Sequence, residues 1–246
     1  MGETQPSADP RVADLMKAGR VRVALYVPQY HKDPVTGALS GWPVDLVAAL
    51  GQRIGVQGVP VEHPNPADAL LSIVLRSCDA GIIGIEAERA TKLDYTAPLV
   101  EADYTLLAPA GSPHQTLADA DRPGVRIAAV RHHASTIALA KIIKHATLVY
   151  ADTPAATYAI FQSGGADLFA SLHEVLRHYA ERLPGSRLFA GRYGFNPIGM
   201  AVAKGHVARL AYLRAFVEDA KASGLVQRAI DRASWRGIRV APPASV

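Results

Sequence analysis

The sequence has 246 residues, of which 49% are hydrophobic and 20% charged, with a formal net charge of +4. This is the composition of an ordinary globular protein, long enough for two modest domains or one large one. A single cysteine, Cys78, excludes an internal disulfide and a multi-thiolate metal site, and we expect it to be a small buried residue. No stretch approaches the roughly 18 apolar residues of a membrane span. The scattered basic residues favour a solvated surface over nucleic-acid binding.

The pattern of apolar and turn residues predicts alternating strands and helices after a loose tail at residues 1–10. The first half is predicted to contain, in order, a helix over 9–18, a strand over 21–26, a turn between Gly37 and Gly41, a helix over 44–54, a strand over 59–63, a helix over 66–75 and a strand over 80–85. The second half is predicted to contain an extended segment over 104–109, a strand near 124–130, a helix over 156–161, a strand near 166–170, a strand over 198–203, helices over 210–223 and 226–233, and an irregular tail over 241–243. Such alternation with short connections indicates mostly parallel sheets.

One part of this pattern occurs twice. The apolar run at residues 20–26 resembles the run at 124–130, and each carries a basic residue. A helix, a small polar turn, an Asp and a strand follow at residues 69–84 and again at 156–170. The repeat predicts two similar α/β lobes with a ligand cleft between them. We expect lobe 1 to comprise residues 1–106 and 200–246 and lobe 2 residues 109–197. A two-strand hinge near 106–108 and 198–202 would allow closure about a ligand.

The segment Gly84-Ile85-Glu86-Ala87-Glu88-Arg89 is the sharpest sign of chemistry. The strand before it ends near Ile85, so the following turn presents Arg89 at the carboxyl end of the sheet, where open α/β sheets bind ligands. A guanidinium there can hold a carboxylate through a bidentate fork. The alternative is a surface ion pair of Arg89 with Glu86 or Asp94.

Several motifs occur together in a characteristic order. They are residues 19–24 of the first strand, Gly41-Trp42-Pro43-Val44-Asp45-Leu46 at a helix start, residues 79–98, residues 124–128, Gly165-Ala166-Asp167, and a C-terminal helix ending at Ser223-Gly224. Over nearly the whole chain, the sequence resembles the family 3 extracellular solute-binding proteins, the polar amino-acid receptors of ABC importers, with the type II periplasmic binding-protein fold. The resemblance implies a periplasmic protein, expected to be monomeric and without a cofactor. It would capture a small carboxylate-bearing solute, amino-acid-like or an organic acid, and deliver it to an ABC permease.

The resemblance also assigns roles to residues. Arg89 corresponds to the arginine that clamps the ligand carboxylate in this family, and the backbone near Gly84 is expected to assist it. The chain has Ile82, Gly84 and Glu86 where the family commonly has Ser or Thr. At the position of the Asp that pairs with the ligand ammonium, it has Leu172. Because an unpaired buried ammonium costs several kcal/mol, we expect weak or absent binding of ordinary L-amino acids. Glu174 would replace that Asp only if the alignment slips by two residues.

Other candidates for ligand contact are aromatic or polar residues near the expected cleft. In lobe 1 these are Tyr26, Tyr30 and Trp42, with Gln29 as a polar candidate. In lobe 2 they are Arg131, His132, Ser135, Thr136, Ser171 and Asn196. Ser135 and Thr136 open a helix, where they would serve as N-caps, as anion contacts, or as both. Adjacent His132 and His133 do not form a metal site, because no third ligand stands at a fixed spacing.

Two alternatives to a transport receptor stay open on the same fold. One is a lyase resembling cyclohexadienyl dehydratase, with His173 or Glu174 as the acid, and the other is a ligand-sensing module. The sequence contains no Gly-x-Ser-x-Gly, Walker-type or HExxH motif, so we expect a binding protein and not an enzyme. Residues 1–20 lack the apolar core of a signal peptide. This leaves open a cytoplasmic protein or a mature chain, and the resemblance favours the periplasm.

Overall fold

The structure is a computed structural model that describes residues 9–244. The first eight residues of the predicted N-terminal tail lie outside the described residues. Contacts between Cα atoms divide the chain into two compact units. Unit 1 runs to Glu101, resumes over Pro197–Trp235 and takes the chain from Arg239 onward. Unit 2 comprises Ala102–Asn196 and Arg236–Ile238. Whether the units act as lobes that close on a ligand stays a prediction, as do the lobe and hinge boundaries given above.

Helices and strands alternate along most of the described chain. The strands are β1 (Arg20–Tyr26), β2 (His31–Lys32), β3 (Leu39–Ser40), β4 (Gln57–His63), β5 (Ala80–Gly84), β6 (Leu93–Ala108), β7 (Arg126–Val130), β8 (Thr147–Ala151), β9 (Leu168–Leu172), β10 (Arg187–Leu188), β11 (Gly194–Ala203) and β12 (Ile238–Val240). The helices are α1 (Ala13–Ala18), α2 (Trp42–Ile54), α3 (Pro66–Val74), α4 (Ala87–Ala90), α5 (Leu117–Ala120), α6 (Ala134–Ala140), α7 (Pro154–Gln162), α8 (His173–Ala180), α9 (Val207–Ala222) and α10 (Leu225–Arg232). None of these helices is long and apolar enough to pass through a bilayer.

The sheet of unit 1 has the strand order β4-β1-β5-β11. Strand β1 runs parallel to β4 and to β5, whereas β11 runs antiparallel to β5. Most of β1 and all of β5 are buried, as expected for strands that helices cover on both faces. Because β1 and β5 are parallel neighbours, their carboxyl ends, Tyr26 and Gly84, lie at the same edge of the sheet.

Helix α2 packs closely on strand β4 in unit 1. A Cβ atom built on Gly51 would lie 2.3 Å from the backbone nitrogen of Gly58, and one on Gly58 would lie 2.2 Å from the carbonyl oxygen of Val47. Neither distance is compatible with a side chain, so both glycines are required by the close approach of the two backbones. The helix ends at Gly55, which adopts the left-handed conformation common at helix C-termini.

Unit 2, like unit 1, contains a sheet with both parallel and antiparallel strand pairs. Its sheet has the order β6-β9-β7-β8, in which β7 runs parallel to β8 and β9 while β9 pairs antiparallel with β6. Apolar clusters cover the sheet. One contains Leu106, Ile127, Leu139, Leu168 and Phe189, with others, and a second contains Leu107, Tyr158, Phe161, Phe169 and Leu176, with others.

The predicted α/β fold class is confirmed, and the sheets are mixed, because β11 pairs antiparallel with β5 and β6 pairs antiparallel with β9 and β10. Cys78 is buried as expected, and residues 241–244 are irregular. Some element boundaries differ from the prediction. The first predicted helix divides into a 3-10 turn at Pro10–Val12 and α1, and α9 begins at Val207. The extended segment at 104–109 is the end of the much longer strand β6.

Candidate functional site

Arg89 lies in the short helix α4, directly after the buried strand β5. Its Nη1 atom donates a hydrogen bond to the carbonyl oxygen of Gly84 at 3.2 Å and lies 3.0 Å from Oε1 of Glu86. Only 18% of its side chain is exposed, against 37% of the Glu86 side chain. The guanidinium is thus fixed at the carboxyl end of the strand by its own local sequence. Both contacts use Nη1, so within the described residues Nε and Nη2 donate no hydrogen bond.

Of the two acidic partners that the sequence offered, the structure selects Glu86. Asp94 instead lies 2.7 Å from Nζ of Lys204 and accepts a hydrogen bond from the backbone amide of Gly205. The pKa of Asp94 is lowered, chiefly by the Lys204 hydrogen bond. Arg89 therefore has one carboxylate neighbour, and the Oε2 atom of that neighbour accepts no hydrogen bond in the described part of the chain.

Two phenols stand beside the arginine. The Tyr95 hydroxyl donates to the carbonyl oxygen of Gly84 at 3.3 Å, the same oxygen that Arg89 binds. Burial raises the pKa of Tyr95 to about 12. Burial also raises the pKa of Tyr26, although Arg89 and the Gly84 amide act in the opposite direction. Both phenols are therefore neutral at physiological pH and offer hydroxyl groups next to a fixed positive charge.

Tyr95 was not among the residues that sequence reasoning selected. It follows Asp94 at the start of β6, in a segment whose local pattern does not predict a strand. Its place near Gly84 follows from the order β5-β11-β6 in the sheet, which depends on pairing between segments far apart in the chain. Tyr26, by contrast, was a predicted candidate, and the structure brings it to Arg89.

The remaining unit 1 candidates lie in other surroundings. Gln29 is buried and spans two strands: Nε2 donates to the carbonyl oxygen of Ile82 at 3.2 Å, and Oε1 accepts from the backbone amide of Tyr26 at 3.3 Å. The Tyr30 hydroxyl donates to the carbonyl oxygen of His63 at 3.4 Å. Trp42 is fully buried at the start of α2. Gln29 therefore orders the chain next to Tyr26, and the ligand roles of all three residues stay predictions.

In unit 2, the candidates near α6 are held by local contacts. Arg131 donates from Nε to Asp152 at 2.9 Å, and its guanidinium carbon lies 5.3 Å from the ring centre of Tyr150. His132 has a positive φ of 60°. The expectation that Ser135 and Thr136 cap α6 is wrong, because His133 occupies the N-cap position, where its side chain does not cap the helix. Both hydroxyl residues lie inside the helix and are buried, and Thr136 Oγ1 donates back to the carbonyl oxygen of Val130 at 2.7 Å.

The other unit 2 candidates lie on strands. Ser171 is buried in β9, where it is paired with Thr105 of β6. Asn196 is buried in β11. The hydroxyl of Thr105 donates to the carbonyl oxygens of Phe189 and Gly191. The ligand roles of Ser171 and Asn196 stay predictions.

The segment after β9 contains Leu172, His173 and Glu174. Leu172 is the N-cap residue of α8 and makes no side-chain cap. Glu174 forms an ion pair with Arg177, whose Nε donates to both carboxylate oxygens at 3.0 Å. His173 packs against Gly237, and burial lowers its pKa. Glu174 is thus occupied by an arginine on its own helix. Within residues 9–244, no group of three or more His, Cys, Asp or Glu side chains is placed to hold a metal ion.

Comparison with known proteins agrees with this architecture. The chain belongs to family 3 of the bacterial extracellular solute-binding proteins, whose family model matches residues 21–234. The search of curated proteins finds no match.

Solved structures with the same fold include three amino-acid-binding proteins. The ancestral amino-acid-binding protein AncCDT-1, described as a precursor of cyclohexadienyl dehydratase, has 23% identity and a TM-score of 0.66, covering 90% of this chain and 97% of its own. An ABC-transporter binding component from Wolinella succinogenes, complexed with lysine, has 23% identity and a TM-score of 0.68, covering 87% and 95%. The L-cysteine solute receptor of Neisseria gonorrhoeae has 18% identity and a TM-score of 0.67, covering 90% and 92%. At these identities the similarity shows the fold alone.

Proposed function

We propose that this protein is the substrate-binding component of an ABC importer and that it captures a small carboxylate-bearing solute outside the cytoplasm. Membership of an extracellular solute-binding family supports the transport role and the periplasmic location. The solute would be amino-acid-like or an organic acid. The permease is then the membrane partner, and the receptor needs no catalytic group of its own.

The observation that carries the choice of ligand is the state of Arg89. Its Nη1 atom is held by Gly84 and Glu86, while Nε and Nη2 keep their donors for another acceptor. These two nitrogens form the edge of the guanidinium that matches the two oxygens of a carboxylate. The side chain is mostly buried, so solvent screens such a pair less than it screens a surface ion pair.

The phenols beside Arg89 are compatible with a carboxylate ligand. Tyr26 and Tyr95 are neutral hydroxyl groups beside the guanidinium, and both have raised pKa values because of burial. The Tyr95 hydroxyl already donates to Gly84, whereas the Tyr26 hydroxyl can donate to a carboxylate oxygen that Arg89 holds.

The test is calorimetric titration of wild type, Arg89→Ala and Arg89→Lys with a panel of amino acids and organic acids. We expect Arg89→Ala to abolish binding of every solute that wild type binds. Arg89→Lys should weaken binding by at least 10-fold, because an ammonium cannot reproduce the bidentate fork. Arg232→Ala is the matched control, since Arg232 also pairs with a carboxylate, that of Asp45, but its side chain is 68% exposed. Unchanged affinity in Arg89→Ala would remove this function assignment.

A lyase activity is the second candidate, because AncCDT-1 is described as a precursor of cyclohexadienyl dehydratase. It would need an acid from the segment after β9. Glu174 is held there by Arg177, and burial disfavours the protonated form of His173. We therefore expect no product from prephenate or arogenate, measured by the absorbance of the aromatic product. Turnover above the rate without protein would favour the lyase instead.

A further inference from the structure

The transport proposal uses Glu86 only as a partner of Arg89 and gives it no contact with the ligand. It comes immediately before α4, and its Oε1 atom lies 3.0 Å from Nη1 of Arg89. The side chain is 37% exposed, about twice the exposed fraction of its partner, and Oε2 accepts no hydrogen bond from the described residues. A carboxylate with a free oxygen therefore stands beside the arginine that would anchor the ligand.

The contact between Arg89 and Glu86 changes the charge that the site presents to a ligand. An unpaired Arg89 would offer one full positive charge to any anion. With Glu86 in contact, the two groups together carry no net charge, so a plain carboxylate gains less from the arginine and is repelled by the glutamate. A ligand that carries a positive group next to its carboxylate meets opposite charges at both ends. Adjacent charges of opposite sign on the protein thus complement a zwitterion.

We propose that Glu86 receives the ammonium group of a ligand whose carboxylate is held by Arg89, and so selects amine-bearing carboxylates over plain organic acids. This rests on the proposed function, because it requires Arg89 as the carboxylate anchor. It changes one expectation from the sequence. Leu172 stands where the family has the aspartate that pairs with the ligand ammonium, and its presence predicted weak or absent binding of amino acids. Glu86 instead supplies an acidic group within unit 1.

Three observations favour Glu86 over other acidic residues for this role. Glu88, in the same turn, is exposed, and its side chain forms no ion pair or hydrogen bond in the described chain. Asp94 is held by Lys204 and the Gly205 amide. Glu174 is held by Arg177. Among these acidic residues, Glu86 alone combines a contact with Arg89 and an oxygen that is open to a ligand.

The experiment compares matched ligands and matched variants. Each amino acid is paired with the acid that lacks its α-amino group: L-alanine with propionate, L-phenylalanine with 3-phenylpropionate, L-cysteine with 3-mercaptopropionate, and L-lysine with 6-aminohexanoate. Calorimetric titrations are run on wild type, Glu86→Gln and Glu88→Gln. Glutamine keeps the size and an acceptor oxygen of Glu86 but removes its charge, and Glu88→Gln controls for a charge change in the same turn.

We expect wild type to prefer at least one amino acid over its partner acid by 10-fold or more. Glu86→Gln should lose at least 10-fold in affinity for that amino acid and should bind the partner acid as tightly as wild type or more tightly. Glu88→Gln should behave as wild type. Circular dichroism and thermal unfolding of the variants confirm that both are folded, so a loss of affinity in Glu86→Gln is then a loss of a contact.

Other outcomes overturn the assignment. Equal affinity of wild type and Glu86→Gln for the amino acid would show that Glu86 makes no contact with the ammonium. Tighter amino-acid binding by Glu86→Gln would show that the glutamate only competes for Arg89. Wild type that binds none of the amino acids would remove the ligand class. If wild type binds only the organic acids and Arg89→Ala does not bind them, the transport proposal is still supported. The role proposed for Glu86 can therefore fail while the transport proposal stands.

Discussion

Arg22 and Asp79 in unit 1 are joined by four hydrogen bonds, which connect β1 to the residue immediately before β5. The backbone amide and Nε of Arg22 donate to Oδ2 of Asp79 at 2.8 and 3.0 Å, and Nη2 donates to Oδ1 at 3.0 Å. The Asp79 amide donates in return to the Arg22 carbonyl oxygen at 2.8 Å. The pair therefore ties the start of β5 to β1, the strand that ends beside Arg89.

Arg126 and Asp167 form the same contacts in unit 2. The amide of Arg126 donates to Oδ2 of Asp167 at 2.8 Å, Nη2 donates to Oδ1 at 2.9 Å, and the Asp167 amide donates to the Arg126 carbonyl oxygen at 2.8 Å. These are the basic residues and the aspartates of the internal sequence repeat. The repeat is therefore also a repeat of side-chain contacts, with one strand-locking pair in each unit.

The two pairs differ in burial, which predicts different contributions to stability. The Asp79 side chain is 13% exposed and that of Asp167 is 36% exposed. Removing one partner of a buried pair leaves an uncompensated charge, so Asp79→Ala should lower the free energy of unfolding by about 3 kcal/mol. Asp167→Ala should cost about 1 kcal/mol, because solvent screens the pair. Urea unfolding at pH 7 measures both. Equal losses would contradict the dependence on burial.

The same carboxylates predict how stability depends on acid. Burial alone would raise the pKa of Asp79, but the hydrogen bonds from Arg22 outweigh it and the pKa is lowered. The pKa of Asp167 is lowered chiefly by the Arg126 hydrogen bond. A carboxylate with a lowered folded pKa binds protons more readily when unfolded. It therefore stabilises the fold above the unfolded pKa, about 3.9, and loses this contribution as pH falls through the folded pKa.

We accordingly expect the stability difference between wild type and Asp79→Ala to be largest near neutral pH and to shrink as pH falls below about 4. Urea unfolding at a series of pH values between 7 and 3 measures this difference. Asp152→Ala is the control, since Asp152 also pairs with an arginine but its side chain is 82% exposed. A difference that stays constant down to pH 3 would contradict the linkage.

Much of the fold was predictable from local sequence, because short apolar strands and glycine-bounded helices leave local signals. Strand β6 was the main omission. Asp94, Pro98 and Glu101 interrupt its apolar pattern, and the strand is defined by pairing with distant segments, among them β9 and the residues around Ala241. Where a strand depends on partners far along the chain, the local pattern of apolar residues does not reveal it.

The candidate site likewise has features that local sequence predicts and features that depend on distant residues. The position of Arg89 at the end of β5 is determined by the sequence of one turn, so it could be predicted from that turn. Its choice of Glu86 over Asp94 depended on Lys204, which lies 110 residues after Asp94 and takes that carboxylate as its own partner. The contact between Gln29 and Ile82 is also distant in sequence, 53 residues apart. Sequence patterns identify polar residues, but their competing partners are known only from the fold.

Gly237 allows a prediction about packing in unit 2. Its φ is +66°, and a Cβ atom there would lie 2.2 Å from Cγ of His173. Gly205 has a similar φ, +86°, but a Cβ atom there would meet nothing within 4 Å. Gly205→Ala should therefore cost only the backbone strain, about 1 kcal/mol. Gly237→Ala should cost about 1–3 kcal/mol more, because His173 must move. Equal losses of unfolding free energy would show that His173 gives way freely.

Leu172, which stands in place of the expected aspartate, allows a test of how the start of α8 is stabilised. It occupies the N-cap position of α8 in an extended conformation, and no side chain caps the first turn. An aspartate there can accept a hydrogen bond from the free backbone amides of that turn and interacts favourably with the helix dipole. Leu172→Ala provides the comparison, because it removes the same apolar contacts without adding a cap. We expect Leu172→Asp to unfold at a free energy about 1 kcal/mol higher than Leu172→Ala at pH 7. The gap should narrow when the new carboxylate is protonated near pH 3, and a Leu172→Asp variant less stable than Leu172→Ala would show that the first turn of α8 does not accept a cap.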